Sequence, residues 1–151
     1  MAVRAKDVAE YVLDQLGPMT AMKLQKLLYY SQAWHAVWEE EQLFPERIEA
    51  WAQGPVVPAL YQEHKGRFRL EPGFFGGDPE SLPPEAQESV EIVLRAYGAM
   101  DPQWLSDLTH MEAPWRDARR GLPDGARGDR EITLEALVEY YSSLASGSEE
   151  A

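Results

Sequence analysis

The sequence predicts a mainly α-helical fold: one compact multi-helix domain over residues 1–145, with two irregular loops, at most a minor β element and a flexible tail over 146–151. Apolar residues recur at helical spacing in four separate segments. Glycine and proline gather in two stretches, 65–84 and 121–128, which read as loops. No block repeats at a solenoid period, and 151 residues with 44% hydrophobic content suit one core, able to bury roughly 68–70% of the unfolded surface.

Each element has its own signal. Ala5, Val8, Ala9, Val12, Leu13 and Leu16 fall on one arc, with Asp7, Glu10 and Asp14 opposite, so 5–16 is an amphipathic helix ended by Gly17-Pro18. Thr20 caps a second helix to about Trp38, whose apolar arc (Leu24, Leu27, Leu28, Trp34, Val37, Trp38) covers half the circumference and marks it as central. Gln25, Gln32 and Glu39 form its expected wet edge. Ile48–Ala52 reads as a short strand or extended crossing, and Pro55 as the first turn of a third helix carrying Val56, Val57, Leu60 and Tyr61. A fourth helix starts near Pro84, a fifth at Asp101-Pro102, a short turn at Pro114, and a last helix at the Thr133 cap.

The charge of −12 is uneven: residues 1–38 are near neutral, while 71–100 and 121–151 carry −5 each. A pI near 4.6 disfavours direct nucleic-acid binding and an anionic membrane surface, both of which need clustered Lys and Arg. The absence of cysteine removes disulfides, thiolate sites and a cysteine nucleophile, and suits a reducing compartment. No apolar run approaches the ~20 residues a bilayer span needs, and the N-terminus lacks a secretory block, so the expectation is a cytoplasmic protein.

Chemistry-bearing patterns are sparse. His35 and Glu39 are spaced i, i+4, but His35 lies inside the apolar arc and Glu39 at its edge, and His64 and His110 have carboxylates only loosely nearby, so no metal site is expected; no cofactor motif, Gly-x-Ser-x-Gly elbow or phosphate loop is present. Thr109 and His110 point about 100° apart on a helix and do not pair as nucleophile and base. Arg116 and Arg119, beside Trp115, read either as an acid-recognising patch or as partners of the chain's own carboxylates. Trp34 and Trp38 are expected in the core. Tyr29, Tyr30, Trp51, Gly54, Pro55, Val57 and Tyr61 gather where the pattern breaks and are candidate partner-binding residues, as are Glu85, Glu88 and Glu91 on the acidic fourth helix.

Four ordered blocks, KLQKLLYYSQAWH (from Lys23), IEAWAQGPVVPALYQEH (from Ile48), LTHMEAPWRDAR (from Leu108) and ITLEALVEYY (from Ile132), resemble the Panacea domain family of SocA-like antitoxins from bacteria and phages. The motif residues Lys23, Gln25, Lys26, His35, Thr109, His110, Pro114, Trp115, Arg116 and Arg119 lie within them, as structural or functional positions. The resemblance implies a non-enzymatic antitoxin that binds and blocks a toxin encoded beside it. It also implies an alternative, a proteolytic adaptor delivering the toxin to an AAA+ protease. From the residues, a small-substrate enzyme using His110, Arg116 and Arg119 is the alternative of another class.

Overall fold

Helix α1 (Ala5–Leu16) begins where Asp7 turns back to accept the Arg4 backbone N–H at 2.9 Å, and stops at Gly17, whose φ of +82° favours glycine. Strand β1 (Met19–Thr20) leads into α2 (Ala21–Glu39), where Thr20 Oγ1 accepts the Lys23 N–H at 3.1 Å. There follow β2 (Ile48–Trp51), β3 (Gly54–Val56), α3 (Pro58–His64), β4 (Arg69–Leu70), a 3-10 turn (Pro79–Ser81) and α4 (Pro84–Tyr97). The chain continues through α5 (Pro102–Met111), α6 (Ala113–Ala118), β5 (Glu131–Ile132) and α7 (Leu134–Glu150). The structure, a computed structural model, describes residues 3–150; the tail expected over 146–151 lies partly outside them.

The fold is mainly α, as expected. Among the described residues, β structure amounts to an antiparallel β1–β4 pair and a small antiparallel sheet ordered β3-β2-β5. One boundary differs from the sequence reading. Pro55 lies inside β3, paired with Ala50, and the helix-opening proline is Pro58. Both prolines suit a first turn, but Trp51 to Val56 forms a hairpin, which delays the helix by one proline.

Helix α2 is the axis of the molecule, packed against α1, α4, α5, α7 and β3. Its expected wet edge is buried at two of three positions. Gln32 Oε1 accepts the Leu43 N–H at 2.6 Å and its amide donates to the Phe44 carbonyl at 2.8 Å; Gln25 Oε1 accepts the Val57 N–H at 2.8 Å. Each amide stands in for a missing β partner, which is why a polar residue belongs there. Trp38, expected in the core, is 39% exposed and stacks on the half-buried Trp34 at 5.5 Å.

Helix α1 corrects its own amphipathic reading too. Asp7 and Glu10, expected to face water, are 7% and 3% exposed. Glu10 accepts the Gly73 and Phe75 N–H groups, each at 2.7 Å, and Asp7 accepts the Asp78 N–H at 2.7 Å. Two carboxylates of the first helix thus supply the acceptors that the irregular 71–78 segment cannot find in a ladder. Gly77 packs so closely on the Lys6 carbonyl that an added Cβ would lie 2.4 Å from it. Glu10→Ala should therefore cost about 1–3 kcal/mol in denaturant unfolding, chiefly from the orphaned buried N–H of Phe75. Amide exchange at Gly73 and Phe75 should lose its protection well before that of α2.

Candidate functional site

The sequence motifs after Leu108 converge on the β2–β3 hairpin. Trp115 Nε1 donates to the Trp51 carbonyl at 2.8 Å, and Ser106 Oγ to the Gln53 carbonyl at 2.7 Å. Arg119, 5% exposed, donates to the carbonyls of Ala50 (3.1 Å), Pro123 (3.3 Å) and Ala126 (2.7 Å), holding the hairpin to the loop after α6. His110 stacks on Trp115 with ring centroids 4.0 Å apart and planes at 8°, and the Arg119 guanidinium lies over the same indole at 5.3 Å. Thr109 Oγ1 donates to the Ser106 carbonyl at 2.7 Å, a bond internal to α5. Pro114 is buried at the start of α6. These side chains form a clamp. Arg116, expected on the same face as Arg119, is exposed and apart from it in role, because Arg119 is consumed by carbonyls.

The clamp is anchored from below. Glu112, 6% exposed, accepts the Tyr30 hydroxyl at 2.6 Å and the Tyr141 hydroxyl at 2.8 Å, and Tyr141 meets the Tyr29 hydroxyl at 2.9 Å. Burial raises the Glu112 carboxyl above its ordinary range, with the two phenols opposing. Tyr29 and Tyr30, expected at an interface, are fully buried, since the Tyr30 hydroxyl satisfies the Glu112 carboxylate and the Tyr29 hydroxyl pairs with that of Tyr141. Gly54, Pro55 and Val57 are also buried and shape the site from behind, whereas Trp51 and Tyr61 are half-buried and meet edge-to-face at 4.8 Å. His35 bonds Ser89 Oγ at 2.9 Å between α2 and α4, and burial pushes its pKa down. On α4, Glu85 and Glu88 are exposed, while Glu91 accepts the Tyr11 hydroxyl.

In front of the hairpin lies a groove of about 1130 Å³ between the start of α2, α3, Lys65–Arg67 and the 125–129 loop. Lys26 lines it at 2% exposure, and no hydrogen bond or ion pair reaches its ammonium among the described residues. The lysine is admitted by Gly54, at φ +133°: an added Cβ there would lie 2.5 Å from Lys26 Cε and 3.1 Å from Nζ. Gln25, bonded to His64 Nε2 at 3.0 Å, closes the floor, and Lys23 at the helix start is half-buried. The cations Lys65, Arg67 and Arg127 stand around the groove against Glu49 and Asp129, and Glu49 is already taken by Arg47 at 3.1 Å and the Trp51 indole at 2.9 Å. The groove is therefore cationic on an acidic protein. Sequence reasoning missed Lys65, Arg67 and Arg127, which sit in stretches without periodicity. Among the described residues no three His, Asp or Glu side chains converge on a metal position.

Burial alone lowers the Lys26 pKa from its ordinary 10.5 to about 8. Between about 8 and 10.5 this lysine holds more proton in the unfolded chain than in the folded one, so its contribution to stability rises with pH in that window. Below it, keeping the ammonium charged costs roughly 3 kcal/mol. Lys26→Met should be more stable than the wild type at pH 7 and flatten the rise between pH 8 and 10.5 in thermal unfolding. His110 and Arg119, the nearby basic groups, do not account for such a window: burial lowers the His110 pKa and arginine stays charged. Gly54→Ala should lose about 1–3 kcal/mol through backbone strain at φ +133° and the Lys26 contact, measured as a lowered urea midpoint.

No curated protein and no solved structure matches the chain. The sequence model described as "Antitoxin SocA-like, Panacea domain" matches residues 24–116, from α2 to the start of the clamp's last helix. That span holds Lys26, the hairpin, Thr109, His110 and Trp115. The chain belongs to the SocA-like antitoxin family of Panacea domains.

Proposed function

We propose that this protein is the antitoxin of a toxin–antitoxin pair and neutralises a toxin encoded beside it by direct protein–protein binding. The observation that carries this reading is how the family-motif side chains are used. His110, Trp115 and Arg119 hold a hairpin to the body of the protein, and their hydrogen bonds and stacking end on backbone carbonyls and one another. An enzyme using His110, Arg116 and Arg119 would need those groups to converge on a substrate. Here Arg119 is buried against three carbonyls and Arg116 is exposed.

Binding is assigned to the hairpin and groove, through Trp51 and Tyr61, with the exposed carboxylates Glu85 and Glu88 steering encounter with a basic toxin. Glu91 is reserved by Tyr11 and belongs less to that surface. No helix of the described residues is long and apolar enough to cross a membrane. Co-expression with the neighbouring gene should rescue growth, and purified protein should bind its product. Trp51→Ala, with folding checked by circular dichroism, should weaken that complex ten-fold or more. Glu85→Gln with Glu88→Gln should slow association at low salt and leave dissociation nearly unchanged. Rescue that disappears in a strain lacking an AAA+ protease would identify delivery for degradation rather than blockade. No rescue and no binding would overturn the antitoxin reading.

A further inference from the structure

Lys26 is a charge without a counter-charge. The residue is 2% exposed and lines an open groove, and no carboxylate or hydrogen-bond acceptor reaches its ammonium among the described residues. Nearby, His110 Nε2 is buried with no partner among the described residues. A protein surface that covers the groove takes the Lys26 ammonium out of water, and a charge so buried is costly unless it is paired, so the covering surface is expected to bring a counter-charge. Lys65, Arg67 and Arg127 around the groove add to its positive field, and the carboxylates within it are two, one of them already paired.

We propose that the groove receives an Asp or Glu side chain of the bound protein, whose carboxylate pairs with Lys26. The identity of the bound protein rests on the antitoxin reading; the anion site itself does not. Two features favour a carboxylate over a phosphate ester. A single buried ammonium matches the charge of one carboxylate. The half-buried Trp51 and Tyr61 rings give the stem of an acidic side chain an apolar wall. The acidic outer surface steers a basic partner, and the groove accepts an acidic point on that same partner, so two opposite charge pairs fix the docking orientation.

The test has two arms. In the first, 13C-labelled protein is titrated with sodium glutarate and with inorganic phosphate at constant ionic strength, and the Lys26 Cε shift is followed against pH. Glutarate should move the Lys26 titration to higher pH, toward its ordinary range, and phosphate should move it less. No response to glutarate, or an equal or larger response to phosphate, would overturn the proposal. In the second arm the neighbouring gene product is bound to wild type, Lys26→Met and Lys26→Arg. Lys26→Met should fold at least as stably as wild type yet bind ten-fold or more weakly, with Lys26→Arg closer to wild type. Equal binding by wild type and Lys26→Met would overturn the carboxylate pairing and leave the antitoxin reading standing. Absence of binding by the wild type would overturn the antitoxin reading, and the glutarate arm would then decide the anion site alone.

Discussion

One buried carboxylate organises the molecule. Glu112 sits at the bend between α5 and α6, where it takes hydrogen bonds from Tyr30 of α2 and Tyr141 of α7. Removing either phenol leaves a buried acceptor short of a donor, and removing the carboxylate leaves two buried hydroxyls to find others. The bend is therefore fixed by three helices at once. Trp115 and Arg119 lie just beyond it, so their reach to the hairpin carbonyls follows from where Glu112 is held. Ring packing supports the same point: Tyr30 meets Tyr29 edge-to-face at 5.1 Å and stacks on Tyr97 at 4.2 Å.

The same device recurs through the fold. Asp7, Glu10, Gln25 and Gln32 are all buried, and each satisfies backbone groups of a segment that has no regular ladder of its own. In a domain with so little sheet, the long connections need polar side chains from the helices to supply what strands would otherwise share. A core of this kind is specified as much by hydrogen bonds as by apolar burial.

This explains what was legible in the sequence. The helices were readable because their apolar period and caps are local: α1 and α4 begin and end where Gly17, Pro84 and their periodicity place them. The buried acids and amides were not, because Glu10 is indistinguishable from a surface glutamate until Gly73 and Phe75, 63 and 65 residues away, are placed beside it. Tyr29 and Tyr30 broke the helical pattern for the same reason, their hydroxyls serving a carboxylate 82 residues onward in the Tyr30 case. The groove was the least visible feature. Lys26 was singled out by its block, but its isolation depends on Gly54 lacking a side chain and on which charges surround it. Net charge was misleading there, since an acidic average conceals a basic concavity.

The Tyr141 contact has a consequence for the order in which the protein becomes competent. Its hydroxyl meets Tyr29, 112 residues earlier, and Glu112, 29 residues earlier, so these bonds form only after α7 has been synthesised and docked. Until then a nascent chain carries α2 and the hairpin without the helix that completes the support beneath the clamp. A growing chain that leaves the ribosome N-terminus first therefore completes the support beneath the hairpin only once α7 has emerged.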